Sequence, residues 1–364
     1  MLGRSLIGLC YLTGFHPAFG QASNASPTGT VHDSGGIRII QSAPNSRAVV
    51  LAAQPTVRLG GLNKNLAIEF DAGHPFLSSV RLTDGSIAVA DYSSIKLFDA
   101  AGGFLRSAGR RGSGPGEFRQ LRELCVVGKD SLLAIDYSDN RISLWTTKGE
   151  LIRDFPRIGY LPLNPCLQGQ SVLVETPSKK KGAGWTDLVI KRWDGTLIGF
   201  FLTIPHDETF GRAPRRVSLA ALGSSIYVAD GRAFEVRRFK SDGTLQSIFR
   251  VRAPSVAITE ANKRPVGQQP PGARSAESPR NYPPYYRMKV DQDGRYWIQD
   301  YIQRTMWTVY DANGQPLGTL LLAGHGTDET LLQVVGDHVA IRFEDSDGAA
   351  QIAYYRYTFS TSGN

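Results

Sequence analysis

Arginine is the residue type of this chain most suited to binding chemistry, and many arginines fall in loops between apolar segments. A planar guanidinium group can form two parallel hydrogen bonds to a carboxylate or a phosphate. Tyrosines lie beside several of these arginines, and their rings could stack on sugar rings or apolar groups. We therefore predict a site for an anionic ligand, formed by Arg110, Arg111, Arg141, Arg215, Arg216, Arg232, Arg304, Tyr92, Tyr137 and Tyr301.

Three histidines offer a different chemistry. His74, His206 and His325 each occupy a loop that precedes a run of strands. Three imidazoles with an open position form a catalytic zinc site. None of the three has a short fixed spacing to another ligand, and a loop histidine is usually a solvated side chain. A zinc or calcium site is therefore the alternative, and the leading expectation is no cofactor.

A repeated unit positions these loops. A turn, an apolar strand and a terminal acid recur at 84–91, 129–136, 223–230 and 293–300. Self-similarity at a period of roughly 40–50 residues marks a repeat architecture such as a solenoid or a propeller. The alternating apolar and polar residues within the units favour strands over helices.

The repeats predict an all-β fold, a six-bladed β-propeller with four-stranded blades, over residues 55–360. We letter the strands of each blade a to d, from first to last. The last blade lacks a fourth strand at its C-terminal end, and residues 55–60 look like the missing strand d. An N-terminal strand in that place would close the ring and leave no open edge. Residues 23–54 are expected to form a loosely held arm, and residues 253–285 a long insertion between blades four and five.

Propeller topology separates the loops onto two faces. The loops b–c and d–a emerge on one face, where most of the loop arginines fall. The turns a–b and c–d emerge on the other face and are rich in aspartate. Charge of one sign around a concave mouth concentrates ligands of the opposite sign. The plainer interpretation is that the aspartates serve hairpin turns and the arginines are merely solvated.

The N-terminus and the cysteines indicate an exported protein. Residues 1–22 resemble a secretory signal, with Arg4, a short apolar stretch and small residues for cleavage. No other segment is long and apolar enough to cross a membrane. We expect a soluble protein in a periplasm or outside the cell. Cys125 and Cys166 would then be candidates for one disulfide, on the innermost strands of neighbouring blades, or would remain two buried thiols.

Two motifs carry a resemblance to a known family. The segment 112–118 (GSGPGEF), together with 136–142 (DYSDNRI), resembles the NHL repeat. The segment 290–297 (VDQDGRYW), after a long Pro-rich loop, is similar to uncharacterised exported bacterial six-bladed propellers. The resemblance covers roughly residues 55–359 and implies the fold. Some related propellers are metal-dependent lyases or calcium-dependent lactonases, which is why the histidines merit a test.

These observations favour an exported, monomeric, non-enzymatic module that binds an anionic glycan, peptide or protein. Export disfavours nucleic acid as the partner. One alternative is a metal-dependent hydrolase or lyase with His74, His206 and His325 as ligands. A second alternative is a structural subunit of an envelope assembly, which an apolar patch on the rim of the propeller would favour.

Overall fold

The structure is a computed structural model, and it describes residues 30–42, 47–61, 69–70, 78–155, 166–167, 171–179, 181, 185–205, 218–229, 231, 233–251, 256–257, 259, 281–322 and 327–360. Within these residues every regular element is a β-strand, as the alternating pattern predicts. Over the same residues, no helix has the length and apolarity needed to span a membrane.

The strands fall into an N-terminal group and six blades. The N-terminal strands are β1 (Thr30–Ser34), β2 (Ile37–Ser42), β3 (Val49–Leu51) and β4 (Val57–Gly60). Blade one has β5 (Ser78–Arg81), β6 (Ile87–Asp91), β7 (Ser94–Phe98) and β8 (Phe104–Ala108). A short parallel pair follows, β9 (Arg110–Arg111) with β10 (Glu117–Phe118). Blade two has β11 (Leu121–Val127), β12 (Ser131–Asp136), β13 (Arg141–Thr146) and β14 (Leu151–Phe155).

The remaining blades continue in chain order. Blade three has β15 (Cys166–Leu167), β16 (Ser171–Pro177), β17 (Trp185–Arg192) and β18 (Leu197–Pro205). Blade four has β19 (Ser218–Leu222), β20 (Ser225–Ala229), β21 (Glu235–Lys240) and β22 (Leu245–Val251). Blade five has β23 (Arg287–Val290), β24 (Tyr296–Gln299), β25 (Met306–Tyr310) and β26 (Pro316–Leu321). Blade six has β27 (Thr327–Val335), β28 (His338–Glu344) and β29 (Ala350–Phe359).

The ring closes through its N-terminal strand, as the sequence predicts. β4 pairs antiparallel with β29, from Gly60 opposite Gln351 to Val57 opposite Tyr354. It therefore supplies the fourth strand of blade six. Among the described residues, a hydrophobic cluster fills each interface between neighbouring blades, including the interface of blade six with blade one. The fold is thus a closed six-bladed propeller.

The N-terminal arm is bound more closely than its polar composition suggests. β1 and β2 form a hairpin, and β2 adds in parallel to β22, the outer strand of blade four. Ala48 then bridges to Thr319 on β26 of blade five, and β3 pairs with the end of β29. The arm crosses the outer edges of three successive blades because those edges present free backbone groups and because Ile40 buries its side chain there, with 2% exposure.

The acids that end strand b have the structural role expected of turn aspartates at two described positions. Asp136 accepts hydrogen bonds from the backbone N–H groups of Arg119 and Asp139, at 2.6 and 3.2 Å. Asp300 accepts from the N–H groups of the two residues that begin its turn. Asp91 instead forms a buried ion pair with Lys96, at 2.9 Å. Asp230 lies outside the described residues.

The cysteines lie on the innermost strands of adjacent blades, as predicted. Cys125 is on β11 of blade two, and Cys166 begins β15 of blade three. Cys125 is disulfide-bonded. That its partner is Cys166 stays a prediction.

Candidate functional site

Two of the predicted arginines lie side by side on the loop that leaves blade one. Arg110 and Arg111 form β9, which pairs with β10 across the Gly-rich turn, and both are exposed. The Nε of Arg110 donates to Glu117 Oε1 at 2.8 Å, while 82% of the Arg110 side chain remains exposed. Glu117 Oε2 also accepts from the Gly114 N–H at 2.9 Å. These bonds lower the pKa of the Glu117 carboxyl, so the loop keeps a charged anchor at its base.

Arg141 reaches the same loop from blade two, but as a support. Its guanidinium donates to the carbonyl oxygens of Ser113 and Gly114, at 2.9 and 3.0 Å, and to that of Glu117. The Phe118 ring is buried between blades one and two and packs on Trp145, with 5.6 Å between the ring centroids. Arg141 therefore holds in place the loop that displays Arg110 and Arg111.

Arg304 lies in a stack of aromatic rings in blade five. Its guanidinium lies 3.1 Å from the Tyr286 ring centroid and 4.5 Å from that of Tyr301, and its Nε donates to the Tyr301 carbonyl. Tyr301 is only 3% exposed and packs on Tyr282, so its ring is covered by protein. The ring of Tyr301 is therefore not on the surface where we expected it to stack on a ligand.

The two other predicted tyrosines occupy b–c turns. Tyr92 has a left-handed backbone, with φ of 46°, and its carbonyl accepts from the Leu121 N–H at 2.6 Å. Tyr137 is half-buried, and the Arg122 guanidinium lies 5.4 Å from its ring centroid. Both residues sit on the face that displays Arg110 and Arg111, because b–c and d–a loops share a face.

Several predicted residues lie outside the described part of the chain, namely Arg215, Arg216, Arg232, His74, His206 and His325. Within the described residues, no group of three His, Cys, Asp or Glu side chains could hold a metal ion. The zinc or calcium site formed by the three histidines stays a prediction.

The opposite face carries ionised aspartates in its turns. Asp84, Asp194 and Asp242 each accept from the hydroxyl and the backbone N–H of the residue two positions on, and these bonds lower the pKa of each carboxyl. The aspartates therefore serve their turns, as the plainer interpretation holds, and still leave this face acidic.

The centre of the ring holds a feature that the sequence reasoning missed. A cavity of about 220 Å³ lies among the innermost strands of blades one, two, four, five and six. Its polar lining includes Ser78, Glu123, Lys289 and Gln333. Glu123 follows a β-bulge in β11, where the register shifts between Leu121 and Glu123. Bulges often re-aim side chains next to functional sites.

The two charged residues that line the cavity, Glu123 and Lys289, both have strongly shifted pKa values. Desolvation raises the pKa of Glu123 to about 7, against the opposing pull of Lys289, Arg287 and a hydrogen bond from Ser78. Desolvation lowers the pKa of Lys289 to about 8, although Glu123 opposes that shift. Such values are common at functional sites. The available signal in the sequence was the presence of charged residues within two innermost strands, Glu123 beside Arg122 in β11 and Lys289 near Arg287 in β23.

The comparisons with known proteins establish the fold. No family model matches the chain, and no curated protein matches it. A protein of Bacteroides fragilis NCTC 9343 that is described as exported has a TM-score of 0.59 at 12% identity, over 89% of this chain and 100% of its own. A member of the DUF4221 family from Bacteroides vulgatus ATCC 8482 has a TM-score of 0.50 at 9% identity, over 87% and 100%. The chain is thus an all-β six-bladed propeller similar in fold to these two Bacteroides proteins.

Proposed function

We propose that the protein is an exported, non-enzymatic binding module that holds an anionic glycan, peptide or protein at the face of its b–c and d–a loops. Two observations support export: the signal-like residues 1–22 and the similarity in fold to a Bacteroides protein described as exported. The resemblance of residues 112–118 to the NHL repeat is compatible with a binding role.

The observation that carries the binding proposal is the pair Arg110 and Arg111. Both side chains are exposed on one short loop, and that loop is fixed from below by Arg141 and Glu117. A loop whose backbone is already fixed loses little backbone entropy when an anion binds to its side chains. The aspartates Asp84, Asp194 and Asp242, whose carboxyl pKa values are lowered, lie on the opposite face, where they repel the same ligand least.

The test removes this pair. In titration calorimetry with polygalacturonate and poly-glutamate, we expect Arg110→Ser/Arg111→Ser to weaken binding at least about tenfold and to flatten its salt dependence. A matched control is Lys129→Ser/Lys148→Ser, which removes the same charge from exposed positions on the opposite face. Equal affinity of the wild type and the Arg110/Arg111 variant, or failure of both polyanions to bind the wild type, would refute the proposal.

A second candidate function, membership of an envelope assembly, is favoured by the rim of the propeller. In blades one to three, the residue three positions after the glycine of the c–d turn is apolar and exposed. These residues are Leu105, Ile152 and Ile198, which follow Gly102, Gly149 and Gly195 and are 57%, 50% and 52% exposed. The equivalent residue of blade five is Leu317, which is partly buried in a cluster with Val49 and Leu51 of the arm. The arm thus covers this position in blade five, while the rim of blades one to three presents apolar side chains.

We propose an extended strand of a partner protein as the occupant of this rim. Such a strand would add to β8, β14 or β18, as β2 adds to β22. We expect the native particle in envelope extracts to be larger than a monomer, and to become monomeric with Ile152→Lys/Ile198→Lys. The control is Val50→Lys, at a side chain that is 49% exposed on β3. A monomeric native particle would refute the assembly role, and a homodimer of the purified protein would replace the partner with a second copy.

A further inference from the structure

We propose that the central cavity is a binding site for a small monocarboxylate, with Lys289 as its cationic group and Glu123 opposite it, and with the charge of Arg287, on the same strand as Lys289, acting on both from outside the lining. This site goes beyond the function proposed above, because it uses none of the arginines on the loop face. Its ligand is a single small molecule, whereas the loop face would hold a polyanion.

The closed ring places Glu123 and Lys289 on opposite sides of the propeller axis. Glu123 is on the innermost strand of blade two, and Lys289 on that of blade five. In a closed ring of six blades these two blades are diametrically opposed. Each charge acts on the other, and Arg287 acts on both. Two cations against one carboxylate leave an excess of positive charge, which a bound carboxylate would neutralise.

The neutral lining defines the rest of the ligand. Ser78 Oγ accepts from the Leu124 N–H at 3.2 Å, and Gln333 Oε1 accepts from the Arg81 N–H at 3.3 Å. These bonds fix a hydroxyl and an amide at the cavity wall. The Ser78 O–H is donated to Glu123, so the amide NH₂ of Gln333 is the group that can donate to a ligand oxygen. Much of the remaining wall is aliphatic, from Val80, Leu124, Ala220, Ala221, Val290, Leu332 and Val334. A short hydrocarbon chain with one carboxylate matches this combination.

Proton binding should accompany ligand binding. The charged groups that act on Glu123 are Lys289 and Arg287, and both favour its ionised form. A ligand carboxylate brought into the cavity is a like charge, which disfavours ionised Glu123. Because the pKa of Glu123 is already about 7, the bound complex should take up a proton near neutral pH.

The test uses three probes of similar size and different charge: butyrate, butyramide and butylamine. We expect calorimetry of the full chain near pH 7.5 to show one butyrate site, at least about tenfold tighter than for butyramide, and no butylamine binding. In buffers of different ionisation enthalpy, the measured heat of butyrate binding should differ, and this difference reports the uptake of protons. Lys289→Met should weaken butyrate binding at least about tenfold. The control Lys240→Met, at an exposed lysine, should leave butyrate binding unchanged.

A second variant guards against a misfolded Lys289→Met protein. Glu123→Gln should keep butyrate binding and reduce the proton uptake to the part that Lys289 contributes, since a bound carboxylate also raises the pKa of Lys289 from about 8. Equal binding of butyrate and butyramide, no butyrate binding at millimolar concentration, or unchanged affinity in Lys289→Met would overturn the proposal. Tighter binding of 4-aminobutyrate than of butyrate would overturn the monocarboxylate class. The Arg110→Ser/Arg111→Ser variant should bind butyrate as the wild type does, which separates this site from the loop face.

Discussion

At the residue scale, the charges of the propeller divide into those that serve the fold and those free to serve a ligand. Arg141 and Asp136 are committed to backbone groups of the loop between blades one and two. Arg110 keeps most of its side chain in solvent even though it pairs with Glu117. Glu123 and Lys289 differ from all of these, because they bring titratable groups into the central cavity.

Glu123 should make the stability of the protein depend on pH in a defined window. Its pKa in the folded state, about 7, lies above the ordinary value of 4.5, so the folded protein holds this proton more tightly than the unfolded chain does. The contribution of Glu123 to the free energy of unfolding therefore falls as pH rises from about 4.5 to about 7. Glu123→Gln should remove this loss, on the order of 3 kcal/mol, in urea unfolding at the two ends of the window.

The control for this prediction is Glu150→Gln, at an exposed glutamate of a turn. In the wild type, the pKa of Lys289 is about 8, so its titration lies above the window. If the free energy of unfolding of Glu123→Gln falls over this window as much as that of the wild type, the pKa of Glu123 is not raised.

At the element scale, the arm is the feature that distinguishes one half of the ring from the other. Ile40 on β2 packs against Phe249 and Tyr310, at the interface of blades four and five. Gly314, in the c–d turn of blade five, lies under it: a Cβ at Gly314 would overlap Ile40 and lie 3.0 Å from Phe249. The turn and the arm are therefore packed against each other.

Gly314→Ala tests this packing against a matched glycine. Gly314 and Gly348 both have left-handed backbones, with φ of 76° and 79°, but a Cβ at Gly348 would have no atom within 4 Å. Gly348→Ala should cost about 1 kcal/mol of stability from its backbone alone. Gly314→Ala should cost roughly 1–3 kcal/mol more. Equal losses in thermal or urea unfolding would show that the arm does not lie on this turn.

The disulfide is a second prediction at this scale. We expect peptide mapping without reductant to recover a fragment that joins Cys125 to Cys166. Cys166→Ser should lower the free energy of unfolding by about 2–4 kcal/mol, because the bond closes a long loop in the unfolded chain. Recovery of Cys125 joined to Cys10, or to a second chain, would contradict this pairing.

At the scale of the whole molecule, closure by β4 joins the two ends of the chain. Val57 and Leu59 pack in one cluster with Ile87 and Val89 of blade one and Ile352 of blade six. The clasp therefore buries apolar surface on both sides of the last interface and removes the open edge. Loss of β4 should therefore lower the stability of the whole propeller.

Leu59→Asp tests the clasp, since Leu59 is only 2% exposed. A charge buried there should lower the free energy of unfolding by about 3–5 kcal/mol. The measurement is urea unfolding followed by two probes, tryptophan fluorescence and circular dichroism. Val50→Asp, at an exposed side chain of the neighbouring strand β3, should cost little. If the two variants are equally stable, β4 does not close the ring.

The sequence by itself determined the repeat, the number of blades and the closing strand, because these depend on local features. Alternating apolar residues and turn glycines act within a few positions of each other, and they place Ser86–Ala90 or Lys129–Asp136 without reference to the rest of the chain.

The tertiary structure alone decided which residues meet. The arm lies on blades four to six because the ring leaves outer edges there that its strands can pair with, which no local pattern of residues 30–51 reveals. Glu123 and Lys289 are 166 positions apart in the sequence and face one another because the closed ring sets blade two against blade five. Arg141 and Arg304 look in the sequence like free loop arginines, and packing commits them to a loop and to an aromatic stack. Long-range contacts of this kind follow from closure of the ring, and closure is a property of the whole chain.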